Sequence, residues 1–161
     1  MREPADAERI RRLARELGRA VPSGTRMYLT GGATAVLEGW RPSTVDVDVR
    51  FEPDSEEPLR RIAELKETLR LNVELASPLD FLPPLEGWRE RSPFRLREGN
   101  LEVFDFDPYS QALSKLERGF NLDLRDVASM VGSGLVDPHR LLELFEGIEG
   151  ELFRFPAVDP A

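Results

Sequence analysis

Between Asp6 and Ala20 the apolar residues Ile10, Leu13, Ala14 and Leu17 recur at helical spacing, with arginines and glutamates on the opposite side. This predicts an amphipathic opening helix. Pro22-Ser23-Gly24 breaks it, Arg26–Thr30 reads as a short strand running into Gly31-Gly32, and Ala33–Glu38 reads as a short helix closed by Gly39. Thr44–Phe51 alternates with period two and is the clearest strand in the chain. After a turn at Pro53–Ser55, Leu59, Ile62, Leu65 and Leu69 mark a helix over Glu56–Leu69, and Leu71–Leu75 reads as another strand.

Pro78, Pro83, Pro84 and Gly87 interrupt any period and predict a surface loop ending near Trp88. Phe94–Arg97 and Leu101–Phe106 flank Glu98-Gly99-Asn100 as a hairpin. Helical patterns follow over Tyr109–Arg118, Leu122–Val131 and Asp137–Phe153, the last opening with an Asp N-cap before Pro138. The proline-rich tail after Phe155 reads as extended. Mixed strands followed by helices, with no repeat or linker, predict one α+β domain over 1–161. Its mixed central sheet, flanked by helices, would span about 6–107, and a C-terminal helical cap about 108–155.

Composition narrows the class. With 161 residues, 40% of them hydrophobic and 32% charged, the chain is an ordinary globular domain able to bury a core. The absence of cysteine excludes disulfides, thiolate metal sites and a cysteine nucleophile, and it fits a cytoplasmic protein. No apolar run approaches signal-peptide or membrane-spanning length, so a soluble protein with no membrane partner is expected. A net charge of -8 opposes non-specific binding to phosphate backbones, and any nucleic-acid partner would need a local basic patch. The arginines at 9, 11, 12, 15 and 19, and at 89, 91, 95 and 97, read as solvated faces paired with neighbouring glutamates.

The chemistry concentrates on the period-two strand. Alternation puts Asp46, Asp48 and Arg50 on one face and Val45, Val47 and Val49 on the other. Two carboxylates about 7 Å apart on one face repel each other, and a hard divalent cation is the natural neutraliser. Oxygen ligands favour Mg2+ or Mn2+ shared with substrate phosphates, which is the chemistry of phosphoryl and nucleotidyl transfer. Upstream, Gly31-Gly32 lies between a strand and a helix, where the lack of a Cβ lets phosphate oxygens approach backbone N–H groups. Thr30 and Thr34 could add hydroxyl donors, and Arg50 could neutralise phosphate charge. The sole histidine, His139, reads as exposed in the first turn of the last helix. Trp40, Trp88 and Phe81 are candidates to stack a base, with Trp40 first because it precedes the acid strand.

Leu29-Thr30-Gly31-Gly32 and Val45-Asp46-Val47-Asp48-Val49, with Thr44 two residues before the first acid, resemble the signature of the DNA polymerase β-like nucleotidyltransferase superfamily. The resemblance implies a third acid on a later strand, sharing the metal or acting as base. Glu74 is the candidate, with Asp80, Asp105 and Asp107 as rivals. Ala112–Arg118 and Asp123–Val127 look like the Lys and Arg-Asp-x-x-Asp region of bacterial nucleotidyltransferase toxins, with Leu122 in place of the usual arginine. That likeness gives Lys115 a role on the nucleotide phosphates and Asp126 a supporting one. It also implies a tRNA or protein hydroxyl as acceptor and a cognate antitoxin as partner. The competing classes are a non-catalytic nucleotide- or partner-binding member of the same fold, and a structural domain with an acidic edge strand.

Overall fold

The computed structural model describes residues 4–154, so the expected extended tail after Phe155 lies outside the described residues. The chain forms two compact units. One is built from residues up to Ala76 together with Pro93–Asp105, the other from Ser77–Ser92 together with residues from Phe106 onward.

The first unit is a five-stranded mixed sheet flanked by helices. Its elements are α1 (Ala7–Ala20), β1 (Thr25–Thr30), α2 (Gly32–Leu37), β2 (Asp46–Glu52), α3 (Glu56–Thr68), β3 (Asn72–Leu75), β4 (Phe94–Glu98) and β5 (Leu101–Asp105). The strand order is β3-β2-β1-β5-β4. β1 runs antiparallel to β2 and parallel to β5, while β2 and β3 are parallel and β4–β5 is the hairpin.

Burial explains which sequences became which elements. Ile10, Leu13 and Leu17 of α1 and Ile62 and Leu65 of α3 meet Met27, Leu29, Val47, Val49, Val73, Leu101 and Val103 in one core. Each such side chain contributes roughly 1.5–3 kcal/mol on leaving water. Asp6 caps α1 by accepting the Arg9 N–H at 2.9 Å. Gly18 lets α1 touch the hairpin, since a Cβ there would stand 2.0 Å from the Glu98 carbonyl oxygen. One face of the sheet is therefore the helix face. The other carries the alternate positions of β2 and is called the acid face below.

The strand alternation holds from Asp46 to Glu52, where Val47, Val49 and Phe51 are buried and Asp46, Asp48, Arg50 and Glu52 are half-buried. Val45 departs from the expected pattern. It precedes the strand and is 74% exposed, because the chain before Asp46 is held instead by an isolated bridge between Ala5 and Thr44.

In the second unit the segment expected to be a surface loop is partly core. Leu82, Leu85 and Trp88 are buried, the turn Pro78–Asp80 is closed by a Ser77/Asp80 capping box, and a short helix α4 (Trp88–Arg91) follows. Helices α5 (Pro108–Arg118), α6 (Asn121–Gly132) and α7 (Pro138–Ile148) complete it. The last helix gives way to a 3-10 turn over Glu149–Arg154, earlier than its sequence pattern suggests. Asp107 caps α5 through the N–H groups of Tyr109 and Ser110, Pro108 takes its first position, and left-handed Gly119 ends it.

Candidate functional site

The local geometry around the acids follows from two glycines with different tasks. Gly31 adopts φ 66° and ψ -127°, a backbone region open in practice only to glycine. A Cβ at Gly31 would stand 3.3 Å from Asp48 Oδ2, so the absence of a side chain lets the turn and that carboxylate approach closely. Gly32 serves packing. A Cβ there would lie 2.0 Å from Thr44 Oγ1, and Thr44 in turn donates its hydroxyl to the Asp46 carbonyl at 3.0 Å. The start of α2 and the start of β2 are thus fitted to each other, which sets where the first acid begins.

Register then assembles the acid face. Asp48 lies opposite Thr30 on β1 and opposite Glu74 on β3, while Asp46 lies opposite Asn72 and Arg50 opposite Tyr28. Residues opposite one another share a face, so Thr30, Asp46, Asp48, Arg50 and Glu74 come together on one side of the sheet. The Asn72 amide donates to Asp46 Oδ1 and, at 3.4 Å, to Glu74 Oε1, linking the first acid to the third. Two buried polar atoms here, Thr30 Oγ1 and Arg50 Nε, have no hydrogen-bond partner among the described residues. Leaving such groups unpaired costs about 1–3 kcal/mol each, which a ligand with acceptor oxygens would recover.

Oxygen-only donors, two half-buried carboxylates, an orphaned hydroxyl and an orphaned guanidinium nitrogen suit a hard cation together with phosphate. Among the described residues no three histidine, aspartate or glutamate side chains converge closely enough to hold a metal ion by themselves. The residues fit a cation that completes its shell with water and substrate oxygens, as Mg2+ commonly does.

In the second unit Lys115 is buried against two carboxylates. Its Nζ lies 2.8 Å from Asp126 Oδ2 and 3.8 Å from Asp123 Oδ1, and Arg118 Nε lies 3.4 Å from Asp123 Oδ2. The side chains of Lys115, Asp123 and Asp126 are each 6% exposed or less. These residues do not decorate a surface. A buried cation with two buried anions holds its position through charge-assisted bonds that water does not screen.

A model of the family described as "Nucleotidyltransferase of unknown function (DUF6036)" matches residues 8–151, nearly the whole chain. The chain belongs to this nucleotidyltransferase family. Neither the curated proteins nor the solved structures contain a match to it. Among the described residues no helix is long and apolar enough to cross a membrane.

Within this DUF6036 chain the rivals of Glu74 all have structural work. The period-two pattern of Leu101, Val103 and Asp105 places Asp105 on the helix face, opposite Leu29. There its carboxylate accepts from Arg95 Nε at 2.9 Å and from the Thr34 hydroxyl at 3.2 Å. Arg95 also bonds Glu38. Burial pushes the Asp105 carboxyl above its ordinary range, and the Arg95 guanidinium and Thr34 hydroxyl offset this only in part. Asp107 caps α5 and takes a two-pronged salt bridge from Arg91, at 3.0 and 2.7 Å. Asp80 closes its capping box.

Thr34 is likewise not brought to the acids. Its hydroxyl spans the Leu29 carbonyl and Asp105 on the helix face, because it lies one turn into α2, which packs against the core. Trp88 is buried and stacked on Phe106 with ring centroids 4.5 Å apart, so it offers no free face to a base. Trp40 is half-buried, Phe81 is 44% exposed and His139 is exposed. Arg91 and Arg95, read from sequence as solvated, are instead the partners of buried acids. Sequence reasoning missed Asn72. Its signal was spacing alone, since two residues before Glu74 on one strand means the same face.

Proposed function

We propose that this chain is a metal-dependent nucleotidyltransferase that moves a nucleoside monophosphate from an NTP to an acceptor hydroxyl. The observation that carries the reading is the register of the acid face. Asp46 and Asp48 share one side of β2, Glu74 lies beside Asp48, and the Gly31 turn lies close to the second acid. Membership of a nucleotidyltransferase family supports the reaction class.

In this reading Asp46 and Asp48 hold Mg2+ or Mn2+, and Glu74 completes the set or takes the acceptor proton. The bound cation would supply Lewis-acid stabilisation of the charge that develops on the transferring phosphoryl group. Asn72 fixes the Asp46 carboxylate so that its outer lone pairs face the ligand. Thr30 donates its hydroxyl and the Arg50 guanidinium neutralises phosphate charge, with the Gly31-Gly32 turn beside them. Lys115, held by Asp126, is the separate proposal for a nucleotide-contacting cation, supported by the toxin resemblance and by its fixed position. The same resemblance supports tRNA or protein as the acceptor, and a toxin role with a cognate antitoxin as partner.

Incubating the protein with each radiolabelled NTP, Mg2+, and total tRNA or cell lysate tests the reaction. The expected result is a labelled acceptor that disappears in Asp46→Ala/Asp48→Ala. No labelled acceptor with any NTP, or labelling that survives the double substitution, contradicts the reading. One observation favours a non-catalytic nucleotide- or partner-binding member of the fold: Glu74, the candidate third acid, is exposed on the edge strand β3. Calorimetry that finds neither Mg2+ nor NTP binding, together with co-purification of a partner, would favour the partner-binding form of that alternative.

A further inference from the structure

The acid face continues away from Asp48 as a row of aromatic rings. Tyr28 lies opposite Arg50, Phe104 lies beside Tyr28 on β5, and Phe94 lies beside Phe104 on β4. The Tyr28 and Phe104 rings stack with centroids 5.4 Å apart and planes 26° apart, and Phe94 meets Phe104 edge-on at 5.7 Å. The Arg26 guanidinium lies over the Phe104 ring at 5.1 Å. Phe94 is 57% exposed, and Arg26 is exposed as well. A lone exposed phenylalanine would need no explanation, but this one ends an aromatic row and meets edge-on a ring that carries a guanidinium.

A β-bulge produces this placement. The β4–β5 register shifts between Phe94 and Leu96, so Arg95 and Leu96 both serve the helix face while Phe94 falls on the acid face. The same bulge, with the charged Arg95 and Arg97, blunts β4 as an edge for strand addition by another protein chain. What remains for a ligand is the exposed Phe94 ring and the flat cation of Arg26, which lies in register between Glu52 and Glu102. Sheets that bind single-stranded nucleic acid present this combination, because every base has a π-face and its phosphates follow the cation. From Asp48 to Phe94 is three strand spacings across and two residues along, about 16 Å, within reach of a few nucleotides.

We propose that Phe94, braced by the Phe104 ring over which Arg26 lies, is a base-stacking site for single-stranded nucleic acid. Resting on the transferase reading, the acceptor is then a polynucleotide whose end approaches the acids while a nearby base stacks on Phe94. Fluorescence anisotropy with a short labelled single-stranded RNA of mixed sequence tests the site without any need for turnover. Phe94→Ala should weaken binding about five- to a hundredfold, whereas Phe94→Trp should retain it. The salt dependence should be shallow, because stacking on Phe94 carries the affinity in place of the basic patch that the net charge of -8 leads one to expect.

Absence of RNA binding by the wild-type protein overturns the proposal, as does unchanged affinity in Phe94→Ala/Arg26→Ala. Phe94-dependent binding of a labelled peptide in place of RNA also overturns it. The two readings fail separately. Phe94-dependent RNA binding without nucleotide transfer leaves the stacking site standing and contradicts the transferase reading, and transfer to protein alone by a chain with no affinity for RNA does the reverse.

Discussion

The two faces of the sheet treat their carboxylates in opposite ways. On the helix face Asp105 is enclosed by Arg95 and Thr34, with Glu38 joined to the same arginine. On the acid face Asp46 is held by the neutral amide of Asn72, Glu74 lies in register with Asp48, and a hydroxyl and a guanidinium nitrogen nearby are buried without a hydrogen-bond partner among the described residues. A carboxylate closed by a guanidinium serves the fold. One that is oriented by an amide keeps its charge for a ligand, and the difference teaches which acids to test for function.

Breaking the acid face should have the largest effect on chemistry and little on stability. Asp46→Asn or Asp48→Asn should lower transfer on the order of a thousandfold, read by labelled-NTP turnover, while denaturant midpoints stay close to wild type. Breaking the helix face should do the opposite. Asp105→Ala leaves Arg95 with Glu38 alone and should destabilise by about 2 kcal/mol in urea melts, with activity per folded molecule retained.

The contact between the two glycine tasks can be broken next. Gly32→Ala forces a Cβ onto Thr44 and should cost about 1–3 kcal/mol, together with a measurable loss of transfer because Thr44 positions Asp46. The smallest effect is electrostatic. Because burial raises the Asp105 carboxyl in the folded state, its contribution to stability is full below the ordinary aspartate range and is lost as pH rises through the folded value. Asp105→Asn lacks that titration. It should be nearly neutral at acid pH and slightly more stable than wild type near neutrality, as urea melts across pH would show.

Much of the acid face was legible in the sequence, because period two alone assigns Asp46, Asp48 and Arg50 to one side and Val47 and Val49 to the core. Register was not, since nothing in Asn72-Val73-Glu74-Leu75 states which residue will face Asp48. Asp105 could have been assigned to the core side from Leu101 and Val103, whereas its pairing with Arg95 depends on a bulge that local sequence does not announce. The segment from Pro78 to Trp88 misled because prolines mask Leu82, Leu85 and Trp88, whose burial comes from tertiary packing rather than periodicity. Lys115 and Asp126 lie on different helices, so helical spacing within either one cannot tell a buried ion pair from surface decoration.

The central claim is that Asp46 and Asp48 work for chemistry while Asp105 works for the fold. Nucleotide transfer from labelled NTP, measured side by side for wild type, Asp46→Asn/Asp48→Asn and Asp105→Asn at matched folded concentration, tests it most directly. The account predicts label in wild type and Asp105→Asn and none in the double variant. Equal labelling in all three, or loss confined to Asp105→Asn, would contradict it.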